Sequence, residues 1–373
     1  MLTLDGIGLD RATPLDLLET PVPVVDLDRL ERNLDRMAAY VREHGLALRP
    51  HIKTHKSPWV ARQQLRRGAV GLTCATPREL EVMAPAADDL LLAYPPVGRP
   101  RAHRLAALTR DVRLTVALDS VRAVTLLAEA ARERGREVHV LVEADLGMHR
   151  VGATTVESVI DVVRAVRANP PLAYDGVAFY PGHIRDRAER QDDKLERLQS
   201  DLGTLLAALS HAGLAPRVVS GGSTPTAWRM HEVAGVTEVR PGTYVYNDRA
   251  TQELGACAWE DCALTVLATV VSTAVPGHAV IDAGTKALGR EPLPGGESEG
   301  YGALLDHPEV RVVRMSEEHG ILDLRGTTWR PEVGALVRVV PNHVCVTVHL
   351  YDRIVGARGE HAVAEWAVAA RGR

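Results

Sequence analysis

The chain has 373 residues, 46% of them hydrophobic and 25% charged, a composition that is ordinary for a globular protein with a large core and more than one domain. A net charge of −4, an aromatic content of 4% and a single phenylalanine argue against a nucleic-acid-binding surface. Four scattered cysteines do not form a disulfide framework, and neither a membrane span of roughly 18 apolar residues nor a signal peptide is visible. We therefore expect a cytoplasmic protein with no nucleic-acid or membrane partner.

The segment from about residue 24 to 245 alternates short β-branched runs with amphipathic helical patterns. Eight units of a strand followed by a helix predict a TIM-type (β/α)8 barrel, with an open doubly wound sheet as the alternative. The eight strand candidates are ALRPHIKT, VGLTCAT, DLLLAYPP, RLTVALDS, EVHVLVEAD, YDGVAFYPGH, RVVSGG and TEVRPG. The first helix, DRLERNLDRMAAYV, shows the 3.6-residue period clearly on one face, formed by Leu30, Leu34, Met37, Ala38 and Val41.

The chain changes character after about residue 250. β-Rich runs separated by Gly, Pro and acidic turns predict a second, mainly antiparallel β domain, with no long helix before HAVAEWAVAARG. The early strand PVPVVDLD is a candidate to join that sheet. We therefore expect a barrel at residues 24–250 and a β-rich domain formed by residues 1–23 and 251–373.

The active site of a TIM barrel lies at the carboxyl ends of its strands. RPHIKTHK stands at the first of these ends, with Lys53 between two histidines. A partly desolvated lysine beside cationic groups has the lowered pKa that an amine needs to attack an aldehyde. The alternative is a surface lysine without a role. EADLGMHRVG presents Arg150, which is either a donor to a ligand oxygen or a buried ion-pair partner.

The turn SGGSTPT follows the seventh predicted strand, and RPGTY follows the eighth. Two glycines let backbone N–H groups approach an anion, and the hydroxyls of Ser223, Thr224 and Thr226 can add donors. TIM barrels hold phosphate groups in the loops after these two strands. A tight loop without a ligand is the alternative, but the position favours a phosphate site.

PNHVCVTVH places His343 and Cys345 at i and i+2 of a predicted strand, so both side chains are expected on one face. Imidazole and thiolate suit Zn²⁺, and two protein ligands leave positions for water and substrate. An isolated His-x-Cys pair more often has no role in binding.

Taken in chain order, several motifs resemble the metal-dependent D-threonine aldolase and D-serine dehydratase family, which has the alanine racemase-like fold of pyridoxal 5'-phosphate (PLP) enzymes. These motifs are RPHIKTHK, DLGMHRVG, YPGH, GGSTPT, RPGTY, DAGTKAL, SEEHG and PNHVC. The resemblance covers nearly the whole chain. It implies PLP and a divalent metal, Zn²⁺ or Mn²⁺, as cofactors, a small D-amino acid as substrate, and a homodimer.

The resemblance also implies roles for individual residues. Lys53, and not Lys56, would attach PLP covalently, while Arg150 would contact the phenolic oxygen of PLP. Arg240 would lie near the pyridine nitrogen. The metal would be held by His343 and Cys345. The remaining cofactor contacts would come from Tyr180, Ser220, Gly221, Gly222, Ser223, Thr224, Gly242, Thr243 and Tyr246.

Two reactions are compatible with a β-hydroxy amino acid whose hydroxyl binds the metal. If a base removes the hydroxyl proton, D-threonine or D-allo-threonine is cleaved to glycine and acetaldehyde, and His183 of FYPGH is the candidate base. If Lys53 removes the Cα proton and hydroxide leaves, D-serine or D-threonine gives a 2-oxo acid and ammonia. FYPGH favours the aldolase reaction, which we expect, whereas Cys345 in the metal pair is more typical of the dehydratase branch.

Three further residues have open roles. His319 is either a second acid–base group or a core histidine, and Asp282 and Lys286 are either substrate or subunit contacts or part of an ordinary turn. Three rival functions are weaker. An amino-acid racemase would need a second-domain tyrosine signature that is not evident, a non-catalytic PLP carrier is typically a lone barrel, and a metal-dependent barrel hydrolase would hold no PLP.

Overall fold

The structure is a computed structural model that describes residues 7–293 and 296–372. The described chain forms two compact units. The first, called the β unit, comprises residues 7–35, Thr54–Trp59 and Thr243–Arg371 apart from the undescribed gap. The second, called the barrel unit, comprises Arg36–Lys53 and Val60–Gly242. No helix in the described ranges has the length and apolar character needed to cross a membrane.

The strands are numbered in chain order: β1 (Ile7–Pro14), β2 (Val22–Asp26), β3 (Ala47–Leu48), β4 (Leu72–Cys74), β5 (Asp89–Leu92), β6 (Arg113–Leu118), β7 (Val138–Glu143), β8 (Leu172–Ala178), β9 (Val218–Gly221), β10 (Glu238–Val239), β11 (Leu264–Ser272), β12 (His278–Ile281), β13 (Gly302–Leu304), β14 (Val312–Met315), β15 (Gly320–Asp323), β16 (Leu336–Pro341), β17 (Arg353–Arg358) and β18 (His361–Ala367). The helices are α1 (Leu27–Glu43), α2 (Pro58–Arg66), α3 (Pro77–Met83), α4 (Arg99–Ala106), α5 (Val121–Arg134), α6 (Val156–Arg167), α7 (Asp192–His211), α8 (Arg249–Glu253), α9 (Thr285–Leu288) and α10 (Val344–His349).

The barrel unit contains an eight-stranded parallel sheet in the order β3-β10-β9-β8-β7-β6-β5-β4. Its two end strands are joined, because the N–H groups of Val70 and Thr73 donate to the carbonyls of Leu48 and Pro50, each at 2.9 Å. A parallel bridge between His51 and Thr73 continues this connection. Seven of the eight strands lie within a predicted run, and β8 begins two residues before its run, at Leu172, so the predicted barrel is confirmed. The turns SGGSTPT and RPGTY therefore do follow its seventh and eighth strands.

Burial explains why these segments form a barrel. The strands are covered on both faces, as Leu90, Leu91 and Leu92 of β5 show by being fully buried. The helices begin at local caps, for example the Thr155–Ser158 capping box that starts α6. The predicted apolar face of α1 is confirmed, since its members are all buried: Leu30, Leu34, Met37, Ala38 and Val41.

The β unit contains a mixed, mostly antiparallel ten-stranded sheet. Its main order is β1-β18-β17-β2-β11-β12-β15-β14, and β16 pairs with both β11 and β13. β2 pairs with β11 antiparallel and with β17 parallel, so the predicted addition of PVPVVDLD to this sheet is confirmed. Alternate residues of β11 face one core, in which Val266, Ala268 and Val270 pack with Ile281 and Leu322.

The C-terminal helix predicted for HAVAEWAVAARG is wrong. Its first seven residues form β18 (His361–Ala367), which pairs antiparallel with β1 and β17. Alanine-rich sequence favours a helix locally, but two available strand partners and the burial of Trp366, which is 2% exposed, override that preference.

The strand predicted for PNHVCVTVH is also wrong. β16 ends at Pro341, His343 is the N-cap residue of α10, and Cys345 lies in the first turn of that helix. The buried side chain of Asn342 fixes the change of direction, because its amide donates to the carbonyls of Glu291 (2.9 Å) and Gly300 (2.8 Å). Val344 and Val348, four residues apart on one helical face, are then fully buried.

Candidate active site

Lys53 lies in a single 3-10 turn, Ile52–Thr54, that follows β3 at the carboxyl end of the barrel. Its Nζ lies 5.8 Å from the centre of the Tyr180 ring, and the guanidinium carbon of Arg150 lies 4.9 Å from the same ring centre. The barrel unit therefore brings the predicted amine and the predicted guanidinium to one aromatic ring.

Each of the two histidines around Lys53 accepts a backbone hydrogen bond. Nδ1 of His51 accepts the N–H of Lys53 (3.4 Å), and in the β unit Nδ1 of His55 accepts the N–H of Ser57 (3.1 Å). Nδ1 is therefore the acceptor nitrogen in both contacts. The cation that shares the Tyr180 ring with Lys53 is Arg150.

The segment FYPGH follows β8, and the position of its tyrosine ring requires the glycine of the segment. A Cβ atom at Gly182 would lie 2.1 Å from the Tyr180 ring, so a larger residue would displace that ring. His183 comes next, and a Cβ atom at Gly147 would lie 3.0 Å from its imidazole. The turn thus presents an aromatic ring and an imidazole three residues apart in the sequence, each packed against a glycine.

The imidazole of His183 is suited to accept a proton. Its Nδ1 is buried and has no hydrogen-bond partner within the described ranges. Desolvation lowers the pKa of His183 below its ordinary value, and the positive charge of Lys194 acts in the same direction. The neutral form therefore predominates at neutral pH.

The loop that carries Arg150 is organised by Asp145, to which the sequence reasoning gave no role. Oδ1 of Asp145 accepts the N–H groups of Gly147 (3.1 Å) and His149 (3.0 Å), and Oδ2 lies 3.1 Å from Nδ1 of His149. Burial opposes the charge of Asp145, yet these donors hold its pKa below the ordinary value. An aspartate two residues before a glycine is a turn signal that could have identified it.

Arg240 is buried at one end of a chain of hydrogen-bonded polar side chains. Its guanidinium donates to the hydroxyl of Ser220 (2.5 Å) and to the carbonyl of Phe179 (3.0 Å). Burial lowers the pKa of Arg240, and the carboxylates of Glu143 and Glu238 oppose this shift. Ser220 and Arg240, both predicted cofactor contacts, are thus directly bonded to each other.

The same chain continues through Glu238. Ser220 donates its hydroxyl to Oε1 of Glu238 (2.6 Å), and Arg49 donates to Oε2 (2.8 Å). Arg49 also donates to Asp89 on β5 at 2.6 Å. Arg49 and Glu238 are buried, so the first residue of RPHIKTHK ties the barrel strands together.

The loops after β9 and β10 are joined at the predicted phosphate site. The N–H of Gly242 donates to the hydroxyl of Thr224 (3.3 Å), and the N–H of Ser223 donates to the hydroxyl of Thr226 (3.1 Å). Ser223 and Thr224 are each 5% exposed. These residues, which the sequence predicts to form one phosphate site, thus bond to one another.

The local structure explains why the second and third positions of SGGSTPT are glycine. A Cβ atom at Gly221 would lie 2.1 Å from the ring of Phe179, and Gly222 has a φ of +93°. The barrel unit thus offers an amine, a guanidinium, an aromatic ring and a loop with hydroxyl groups. PLP requires an amine for its aldehyde, a cation for its ring oxygen and a cradle for its phosphate, so these residues fit it.

Two residues predicted to contact the phosphate, Thr243 and Tyr246, lie in the β unit. The hydroxyl of Thr243 lies 3.9 Å from Sγ of Cys345. Tyr246 is fully buried beside Trp366, and burial raises the pKa of its phenol.

The two predicted metal ligands, His343 and Cys345, lie at the start of α10 and not on a strand. Sγ of Cys345 lies 3.2 Å from the hydroxyl of Thr54, the residue that follows Lys53 in the chain. The neighbouring Cys345, and then the hydrogen bond with Asp248, hold the pKa of His343 above its ordinary value. A metal that binds this imidazole must therefore displace a proton.

The chemistry of the pair fits a borderline-soft divalent cation, because it combines an imidazole nitrogen with a sulfur. Within the described ranges no group of three or more His, Cys, Asp or Glu side chains is arranged to hold a metal ion. The protein would then supply two ligands and leave the other positions to water or substrate.

Asp248 is the residue near this pair that the sequence reasoning missed. It is fully buried, and its Oδ2 lies 3.1 Å from Nδ1 of His343. It is also the N-cap residue of α8, in a capping box with Thr251. The pattern Asp-x-x-Thr before a short helix could have marked it as a cap, but nothing local in the sequence points to His343.

The three residues with open roles are placed as follows. His319 is exposed in the turn between β14 and β15 and is therefore not a core histidine. Asp282 accepts hydrogen bonds from the hydroxyl of Thr20 (2.5 Å) and the N–H of Thr269 (2.8 Å). Lys286 is exposed and pairs with Glu318 at 2.6 Å.

Comparison with known protein families gives two matches. The family described as alanine racemase, N-terminal domain, matches residues 25–250, and the family described as putative serine dehydratase domain matches residues 263–357. A D-threo-3-hydroxyaspartate dehydratase from Delftia sp. (strain HT23) is 35% identical over 370 residues, which cover 94% of this chain and 97% of the relative.

Solved structures agree with these matches. The crystal structure of a D-threonine aldolase from Filomicrobium marinum superposes with a TM-score of 0.89 at 33% identity, covering 98% of this chain and 99% of the other. A cysteine-to-alanine variant of a D-threo-3-hydroxyaspartate dehydratase, described as being in the metal-free form, has a TM-score of 0.86 at 32% identity and covers 95% of this chain and 98% of the other.

Proposed function

Because the chain belongs to the D-threonine aldolase and D-serine dehydratase family, whose fold is that of alanine racemase, we propose that it is a PLP- and divalent-metal-dependent lyase that cleaves D-threonine or D-allo-threonine by a retro-aldol reaction. Its class, a lyase of D-hydroxy amino acids, follows from the family. The observation that supports the aldolase reaction is the neutral imidazole of His183, whose buried Nδ1 has no partner in the described chain.

Different residues of the barrel unit would bind different parts of PLP. Lys53 would attach its aldehyde, Arg150 would contact its phenolic oxygen, and the loop containing Ser223 and Thr224 would hold its phosphate. When bound, PLP supplies an electron sink for the electron pair that bond cleavage leaves on Cα of the substrate. Tyr180, which Lys53 and Arg150 approach at 5.8 and 4.9 Å, would support the cofactor ring.

His183 would accept the proton of the substrate β-hydroxyl at Nδ1. As the hydroxyl loses this proton, the Cα–Cβ bond breaks and acetaldehyde leaves, and a proton returned to Cα completes glycine. His343 and Cys345 would hold the divalent metal, which supplies a Lewis acid that makes the β-hydroxyl more acidic. A lowered pKa is favourable for His183, because the proton acceptor must be uncharged at working pH.

Dehydration is the second candidate, and Cys345 is the observation that favours it. A D-threo-3-hydroxyaspartate dehydratase is among the similar proteins, and the solved structure of a cysteine-to-alanine variant of such a dehydratase is described as being in the metal-free form. In this reaction the amine of Lys53 would take the Cα proton while the β-hydroxyl leaves as hydroxide. Loss of the elements of water would give an enamine, and hydrolysis of its imine tautomer by water would then give a 2-oxo acid and ammonia.

Product analysis separates the two reactions. The purified protein, loaded with PLP and Zn²⁺ or Mn²⁺, is incubated with D-threonine, D-serine and D-threo-3-hydroxyaspartate. Glycine with an aldehyde identifies the aldolase, and a 2-oxo acid with ammonia identifies the dehydratase. We expect a chelator to abolish turnover and leave the visible absorbance of PLP, because the two cofactors have different ligands. Turnover of none of the three substrates would refute the proposal.

A further inference from the structure

We propose that Asp248 is a positioning residue that fixes the tautomer of His343, so that Nε2 of this imidazole is the nitrogen offered to the metal. This inference rests on the metal site of the proposed function. The two residues are 95 positions apart in the sequence, and the structure brings the carboxylate to 3.1 Å from Nδ1 of His343.

The direction of this hydrogen bond follows from the chemistry of the carboxylate. An ionised carboxylate only accepts hydrogen bonds. Oδ2 of Asp248 receives the backbone N–H of Val344 at 3.1 Å, in addition to facing Nδ1 of His343. For the second contact to be a hydrogen bond, Nδ1 must carry the proton. The lone pair of the imidazole then resides on Nε2, which is the nitrogen left for a metal.

The other oxygen of Asp248 holds the carboxylate in place. Oδ1 accepts the N–H and the hydroxyl of Thr251, both at 2.8 Å. The N–H of Asp248 in turn donates to that hydroxyl at 2.9 Å. Because the side chain is completely buried and each oxygen has two donors, the carboxylate cannot rotate without losing hydrogen bonds.

Asp248 acts through His343 and is not itself a third ligand. It bonds the nitrogen opposite to the one left for the metal, and within the described ranges no cluster of three His, Cys, Asp or Glu side chains is suited to a metal ion. Carboxylates that bond the distal nitrogen of a ligating histidine orient the ring and make it a stronger ligand. Removing such a partner typically weakens metal affinity by about 10- to 100-fold.

Asp248→Asn is the sharpest test. The amide oxygen can still accept from Thr251, but the amide N–H₂ would then face His343 and the N–H of Val344. A donor at this position favours the tautomer with an unprotonated Nδ1, which places the proton on Nε2. We therefore expect a loss of Zn²⁺ affinity of about 10- to 100-fold, measured by calorimetric titration of the PLP-loaded, metal-stripped full chain.

Asp248→Ser provides a second variant that keeps the helix cap, because serine caps helices as well as aspartate does. Its single hydroxyl cannot serve both Thr251 and His343, so the same loss of affinity is expected. Thr251→Val is the matched control. It breaks the capping box and leaves the contact between Asp248 and His343, so we expect Zn²⁺ affinity within about two- to threefold of the unmodified protein.

His343→Ala separates this inference from the proposed function. If His343→Ala abolishes Zn²⁺ binding while Asp248→Asn and Asp248→Ser leave it unchanged, the role of Asp248 is refuted and the metal site stands. Equal losses in Thr251→Val and Asp248→Ser would also refute it, because Thr251→Val leaves the contact between Asp248 and His343 in place and the loss would then not come from that contact. If His343→Ala binds Zn²⁺ normally, the metal site itself is refuted.

Discussion

Replacing His183 with asparagine removes the proposed proton acceptor and retains a polar side chain against Gly147. General base catalysis typically contributes 10²- to 10⁴-fold to a rate, which is about 2.7 to 5.4 kcal/mol at 1.36 kcal/mol per tenfold. We therefore expect kcat for cleavage of D-threonine to fall by about 100- to 10,000-fold. Since Nδ1 of His183 has no partner among the described residues, its loss leaves no unpaired group, and we expect stability to change by no more than about 1 kcal/mol.

The pH dependence adds a signature that a purely structural role would not produce. Desolvation and then Lys194 lower the pKa of His183, with Asp145 and Asp186 opposing and His149 adding to the shift. The base works in its neutral form, so activity should persist at pH 7 and fall only as the pH drops through a value below the ordinary 6.5. Lys194→Met should move this acid limb to higher pH, because it removes a positive charge and leaves the charge of Asp186.

The measurement is kcat/KM against pH for the unmodified protein, His183→Asn and Lys194→Met, with circular dichroism as a check of folding. We expect the acid limb to vanish from the residual activity of His183→Asn. Retention of more than a tenth of kcat, or an unchanged acid limb in that variant, would refute the assignment of His183 as the base.

Two other substitutions test the motif RPHIKTHK. Lys53→Ala should lose covalently bound PLP and its visible absorbance, whereas Lys56→Ala should retain both; the reverse outcome would contradict the choice of Lys53. Arg49→Met leaves the carboxylates of Glu238 and Asp89 without their shared partner, so we expect a loss of about 3 to 5 kcal/mol in the free energy of unfolding, measured in urea. Arg49→Met with Glu238→Gln should recover part of this loss, and equal stabilities of the single and double variants would contradict the buried-charge explanation.

Much of the barrel and of its candidate site could be predicted because the signals are local. All eight strands overlap predicted runs, seven of them entirely, and the apolar face of α1 follows from a 3.6-residue period. Lys53, Arg150 and the SGGSTPT loop are predicted site residues because side chains at the carboxyl ends of barrel strands converge on the active site of such a fold. The bonds within that loop, such as Gly242 to Thr224, could not be predicted, because they depend on how two neighbouring strand ends meet.

The sequence by itself therefore determined the order of elements, the barrel, and the residue types that stand at its strand ends, since hydrophobic period and turn chemistry act over a few residues. Only the tertiary structure decided that HAVAEWAVAARG is a strand, that His343 caps a helix, and that Asp248 bonds that histidine. The physical reason is that each of these depends on hydrogen-bond partners far away in the chain. β18 pairs with β1 from the other end of the chain, and the carboxylate of Asp248 meets an imidazole 95 residues away. Contacts between residues so far apart produce no local sequence pattern from which they could be predicted.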